Sequence, residues 1–140
     1  MTFLLDTNVL SALMYPTPPI AVVQWVTGRS YDELFTASVC QAEVLAGLAV
    51  MPRGRRRQRL EQAAEMMFKD DFAGQILPFD TGATASYANI LVSRRHAGRP
   101  ISTEDLMIAA IAQSRGLSIV TRNVHDFDGC GIEVIDPWVE

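Results

Sequence analysis

Short apolar runs alternate along the chain with longer stretches of helical periodicity. Phe3-Leu4-Leu5 reads as a short strand. Asn8 to Met14 reads as a helix ended by Pro16, and Ala21 to Thr27 as a second helix ended by Gly28. Leu34 to Ala37 is a strand. Ser38 then stands where an N-cap belongs, with Gln41 three residues on as partner in a capping box, and the helix it opens stops before Pro52. A long arginine-rich helix is predicted from Arg55 to Phe72, a strand from Gln75 to Phe79 and a helix from Thr81 to His96. A further helix runs from Ser102 to Arg115, with Gly116 as its C-terminal stop. Leu117 to Thr121 and Ile132 to Ile135 are the last strands.

Strands separated by helices need crossover connections, which implies an α/β fold with a mostly parallel sheet. The strands are almost continuously apolar, as strands buried on both faces should be. In such sheets, sites form beyond the carboxyl ends of the strands. The places to search are therefore just after Leu5, after Ala37 and after Val120.

Composition supports one ordinary domain over residues 1–140. The 140 residues are 49% hydrophobic, enough for a core without a disulfide or structural zinc. The two cysteines, Cys40 and Cys130, form no CxxC and read as reduced packing residues, which suits a cytoplasmic protein. The N-terminal run is interrupted by Asp6 and lacks the basic start of a signal peptide. No apolar stretch reaches the roughly 20 residues needed to span a membrane. The net charge of −4 argues against a generic polyanion binder, yet five arginines crowd Arg53 to Arg59 and three more stand at Arg94, Arg95 and Arg99.

Several carboxylates occupy awkward places. Asp6 follows the first strand at once, where it either caps the next helix or serves a site. Glu43 lies in the second turn of its helix, too far along to cap it. Its i±3 and i±4 neighbours are Val39, Cys40, Ala46 and Gly47, a small or apolar stripe expected to face the protein. Asp105 sits above Ile108, Ala109 and Ala112, and is also the third position of a capping box with Ser102. The fourth strand ends in Thr121-Arg122-Asn123, followed by Asp126. Either Thr121 and Asn123 contact a phosphate or a metal-associated water and Asp126 supplies a further carboxylate, or Asn123 and Asp126 form a turn bonded to local backbone. Two carboxylates about 4 Å apart repel by roughly 4 kcal/mol at an effective dielectric near 20, so converging acids call for a cation. All-oxygen ligation selects Mg2+ or Mn2+ over zinc, and such a cation suits phosphoryl transfer.

The segments LLDTNVLS (Leu4 to Ser11), AEVLAG (Ala42 to Gly47), ISTEDLMIAAIA (Ile101 to Ala112) and TRNVHDF (Thr121 to Phe127) together resemble the PIN-domain ribonucleases. The chain looks most like the VapC toxins among them, and the FitB-like branch in particular, to which Asp136-Pro137-Trp138 and the arginine-rich region are also similar. The resemblance spans essentially the whole chain. It implies a three-layer PIN-like fold with a five-stranded parallel sheet flanked by helices. It implies Mg2+- or Mn2+-dependent endoribonuclease activity, RNA as substrate, a cognate antitoxin, homodimerisation, and assembly with the antitoxin on operator DNA. Residue by residue, the metal ligands map to Asp6, Glu43 and Asp105. Many relatives place a fourth acid two residues after the strand-end threonine. Here that position is Asn123, so either Asn123 or Asp126 completes the site, and a one-metal resting state is expected.

The arginine groups either contact phosphates, mark the antitoxin surface, or are solvated. Two other functions compete. A phosphatase with an Asp6 nucleophile would want a second acid where Asn8 stands, and a catalytic lysine; Lys69 is the only lysine. A catalytically weak subunit of a DNA-bound repressor complex would need no working site at all.

Overall fold

The computed structural model describes residues 1–139. Five strands, β1 (Phe3–Leu5), β2 (Leu34–Ala37), β3 (Ile76–Leu77), β4 (Ser118–Val120) and β5 (Val134–Ile135), form one sheet in the order β3-β2-β1-β4-β5. Every pairing is parallel, so the sheet is wholly rather than mostly parallel. In β1 and β4 successive side chains point to opposite faces, yet all are buried, which requires cover on both sides of the sheet. The chain winds from β1 outward through β2 to β3, then returns to place β4 on the other side of β1. Between β1 and β4 the winding reverses, and the carboxyl ends of these strands open the crevice where α/β proteins place their sites.

Six helices provide the cover: α1 (Thr7–Met14), α2 (Ile20–Thr27), α3 (Ser38–Ala49), α4 (Arg55–Met66), α5 (Thr84–His96) and α6 (Thr103–Arg115). Among the described residues no helix is long and apolar enough to cross a membrane. Helix α6 is the most deeply set, with Leu106, Ile108, Ala109, Ala110, Ile111 and Ala112 all buried. Its ends are as expected. Ser102 Oγ accepts the Asp105 N–H at 3.1 Å, and Gly116 takes the left-handed conformation (φ 71°) that an L side chain resists.

Two local expectations are corrected. Ser38 is not an N-cap: β2 passes directly into α3, so the extended Ala37 occupies the cap position and no side-chain capping bond or box forms. The predicted helix from Arg55 to Phe72 changes pitch, ending as α-helix at Met66 and continuing as a π-helical turn over Met67–Asp71.

A third correction concerns Arg94, which was grouped with the surface arginines. Its residue is only 4% exposed. From α5 the guanidinium donates to four main-chain carbonyls: Nε to Arg99 (3.1 Å), Nη2 to Pro100 (2.8 Å), and Nη1 to Asp126 (3.0 Å) and Asp128 (2.6 Å). A rigid fork suits this work, because a planar group with five N–H donors reaches several acceptors from one position. Arg94 thereby ties the end of α5 and the approach to α6 to the loop after β4.

Arg94→Met should destabilise the chain by about 3 kcal/mol, since it strips partners from several carbonyls at once. The exposed neighbour Arg95→Met should shift stability by less than about 0.5 kcal/mol. Urea unfolding of the two variants measures the contrast.

Candidate active site

The crevice is built from the end of β1. The Asp6 N–H donates to the Val120 carbonyl (2.9 Å), which carries the β1–β4 pairing one residue further. Its carboxylate then caps α1, Oδ1 accepting the Thr7 N–H at 2.8 Å. The capping role is therefore real, and it leaves Oδ2 for other partners. Thr121 Oγ1, fully buried at the end of β4, lies 2.8 Å from Oδ2.

The direction of that bond follows from counting. Thr121 Oγ1 accepts the Asn8 side-chain amide N–H (3.0 Å) and the Asn123 main-chain N–H (3.1 Å). A hydroxyl has two acceptor sites and one proton, so the proton goes to Asp6. Asn8 is fixed in the same way. Its Oδ1 accepts the Arg122 N–H at 3.1 Å, so its amide nitrogen must face Thr121 and, at 3.5 Å, Asp6 Oδ2. Three residues from two strand ends, Thr7, Asn8 and Thr121, thus hold one buried carboxylate in a single orientation.

Three other acids face it. Glu43 Oε1 accepts the Thr7 hydroxyl at 2.6 Å, and single ligand atoms of Asp6, Cys40 and Glu43 lie within 4.8 Å of one another. Burial pushes the Asp6 carboxyl up, partly opposed by the Thr7 and Thr121 hydrogen bonds, and the charges of Glu43 and Asp126 push it further. Asp105, half-buried in the first turn of α6, is pushed up to about 6, first by burial and then by the charge of Asp6, with Asp126 and Glu43 adding to it. Asp6 and Glu43 therefore come together at ligand distance, while Asp105 and Asp126 lie near enough for their charges to act within the same pocket. Asn123 meets the site through its main chain. Its N–H donates to Thr121, and its carbonyl accepts the Asp126 N–H at 3.1 Å.

Glu43 requires a correction. It was expected to face the protein interior, but it is exposed, with Ala46 and Gly47 exposed beside it. The small residues on that face of α3 border an open groove that Glu104 and Met107 of α6 also line. Sequence patterning does not single out Thr7, Asn8 or Cys40. The first two are visible only as polar neighbours of Asp6 in an apolar segment. Cys40 is buried and unpaired, as expected of a packing residue, but its Sγ also reaches Asp6 Oδ1 at 3.9 Å. Burial and the Asp6 charge push its thiol up to about 12, so it remains a neutral S–H donor at ordinary pH.

Lys69 lies in the turn after α4, lining a groove with Glu61, Glu65 and Arg57 that contains none of the four acids. This leaves Asp6 without the lysine that the phosphatase alternative needs. Arg57 pairs with Glu61 at 3.5 Å on the solvated face of α4.

The raised Asp105 has a consequence for stability without added cations. Its folded-state value, about 6, exceeds the ordinary 3.8, so between those values the folded chain holds more protons than the unfolded chain. Stability should fall as pH rises through that window, fully present below it and lost above about 6. Urea unfolding in EDTA should show this loss, and Asp105→Asn should flatten it. An equally steep loss in the variant would remove Asp105 as the cause.

The chain is 36% identical over 134 residues to VapC ribonuclease Y4jK of Sinorhizobium fredii, covering 96% of each protein. It is 33% identical over 135 residues to Toxin FitB of Neisseria gonorrhoeae, covering 96% of this chain and 97% of that protein. A chain in the solved structure of FitAB bound to an IR36 DNA fragment matches it with a TM-score of 0.89 at 32% identity, covering 98% of this chain and 96% of that one. Residues 3–128 match the PIN domain, and the four acids at the reversal of a parallel sheet accordingly sit in a chain that belongs to the PIN-domain family.

Proposed function

We propose that this protein is a Mg2+- or Mn2+-dependent endoribonuclease, that Asp6, Glu43 and Asp105 hold the cation, and that Asp126 completes the acidic pocket. The observation that carries this reading is the gathering of three further acids, Glu43, Asp105 and Asp126, around the Asp6 carboxylate, which is held in a fixed orientation. Asp6 and Asp105 are both pushed up by burial and by the charges of neighbouring acids, a cost that a divalent cation would relieve. The donor set fits a hard cation, since the carboxylate oxygens point inward and the nearby sulfur is a protonated thiol.

When bound, Mg2+ or Mn2+ supplies neutralisation of charge on the attacked phosphate and activation of the attacking water. The chain's residues supply the geometry. Thr121 and Asn8 hold Asp6 Oδ2, so that carboxylate cannot swing as substrate enters. Thr7 holds Glu43 by one oxygen and leaves Oε2 for a ligand. Thr121 and Asn123 act as positioning residues: the first by its hydroxyl, the second by placing the Asp126 turn. The exposed position of Glu43 leaves the pocket open at the α3 side, which suits a polymer entering from solvent more than a small enclosed ligand.

The names of the relatives support a cellular role. One is called a ribonuclease and another a toxin, and the matched solved complex includes DNA. We infer a single-domain cytoplasmic toxin, restrained by a cognate antitoxin protein, forming homodimers and joining the antitoxin on operator DNA. A catalytically weak subunit of such a repressor complex would not require three further acids around a rigidly oriented Asp6.

Incubating the purified chain with total RNA should give Mg2+-dependent cleavage that EDTA stops, with the sequenced ends revealing the target. Asp6→Asn should reduce cleavage by about a hundred-fold or more and abolish toxicity. The fold should persist, because asparagine keeps a cap acceptor. Full activity in that variant would reject the site. Thr121→Val should weaken Mn2+ binding by roughly 10- to 100-fold, measured by calorimetry, because it removes the hydrogen bond that orients Asp6.

A further inference from the structure

A pocket of four acids repels the phosphates of an incoming strand, so some nearby group must hold the strand on either side of the bond to be cut. The loop after β4 carries two groups that can be cationic, Arg122 and His125. His125 Nδ1 lies 3.1 Å from Asp128 Oδ2, and Arg99 reaches the same oxygen at 3.1 Å. That corner is therefore neutralised internally. Arg94 beneath it is buried and committed to carbonyls.

Arg122 differs from all of these. It is exposed, and among the described residues no carboxylate lies within 4.0 Å of its guanidinium. Its guanidinium carbon instead lies 5.1 Å from the centroid of the Trp138 ring. Trp138 is half-buried, and its main chain is held just beyond β5, the main-chain N–H donating to Asp136 Oδ1 at 2.9 Å. At the other end, the Arg122 main-chain N–H donates to Asn8 Oδ1, within the hydrogen-bond web that orients Asp6.

This arrangement has a chemical meaning. A stack on an aromatic face satisfies the flat side of a guanidinium and leaves its edge, where the N–H donors lie, for a planar bidentate acceptor such as a phosphate. The stack also removes much of the rotamer freedom that a free arginine would lose on binding. Trp138 follows β5, the neighbour of β4 on the side away from β1. The guanidinium is accordingly held on the β5 side of β4, which suits a phosphate flanking the scissile one.

We propose that Arg122, held by Trp138, binds a backbone phosphate of the RNA strand next to the cleavage position, on the β5 side of the pocket. This rests on the ribonuclease reading above. It predicts a contact that positions the strand without selecting its bases.

The test separates binding from cleavage by using the Asp6→Asn background with Mg2+ and a fluorescent single-stranded RNA oligonucleotide, followed by anisotropy over a series of salt concentrations. Arg122→Ala should weaken binding several-fold and reduce the slope of log K against log salt by about 0.7, the increment for one phosphate of a single strand. Arg122→Lys should keep the slope. Trp138→Leu should weaken binding at nearly unchanged slope, and Trp138→Phe should restore it. In the active chain, Arg122→Ala should raise KM while leaving kcat nearly unchanged, because a flanking contact is equally strong before and during the reaction. Thermal melts confirm that each variant is folded. Unchanged affinity and slope in Arg122→Ala, or a fall in kcat with KM unchanged, would overturn the assignment while wild-type cleavage left the ribonuclease reading standing. If the wild type cuts no RNA and the Asp6→Asn chain binds none, both fail together.

Discussion

The buried hydrogen bond from the Thr121 hydroxyl to the Asp6 carboxylate joins residues 115 positions apart in sequence and adjacent in space. It lies where β1 and β4 end side by side, at the point where the sheet reverses its winding. Without it, Asp6 would be a carboxylate removed from water with little but its helix cap in return. A hydrogen bond to a charged group contributes about 1.5–3 kcal/mol, the same order as the cost of leaving one unmet. The bond therefore turns a desolvation liability into an oriented functional group. Asn8 and the Asn123 N–H fill the remaining capacity of the hydroxyl, so the strand ends, the first turn of α1 and the loop after β4 meet at a single oxygen atom.

The other acids are held less uniformly. Asp105 is fixed by the start of α6, the most deeply buried helix. Glu43 stands on an exposed lip of α3 and is steadied by one hydroxyl. Asp126 sits on a short helical turn whose path is set from below by Arg94. The pocket thus has a rigid wall from the sheet, one open edge and one wall carried by a loop. That asymmetry fits a surface cleft along which a polymer lies.

Much of this was legible in sequence because it is local. Strand β1, the run into α3, the Ser102 cap and the Gly116 stop are each set by a handful of neighbouring residues, and they fall where the pattern places them. The errors share one cause, which is tertiary context. Ser38 has the chemistry of a cap, but β2 enters α3 without a linker and Ala37 takes the position. The small residues around Glu43 suggest burial, yet that side of α3 borders an open groove. Arg94 and Arg95 are adjacent in sequence, and only the return of the loop after β4 over the end of α5 makes one a buried clamp and the other a surface charge. Asn8 was visible as a polar residue in an apolar segment, but its partnership with Thr121 spans 113 residues and no periodicity reports it.

Every hydrogen bond made by the Arg94 guanidinium ends on a main-chain carbonyl. A clamp of that kind is indifferent to which side chains the loop carries. Its hold on the segment from Asp126 to Asp128 depends on where two peptide oxygens lie, and Phe127 between them is anchored separately in the core. One buried residue on α5 thus fixes the course of the pocket's loop edge through its main chain, while the wall around Asp6 is fixed by side chains that bind one another.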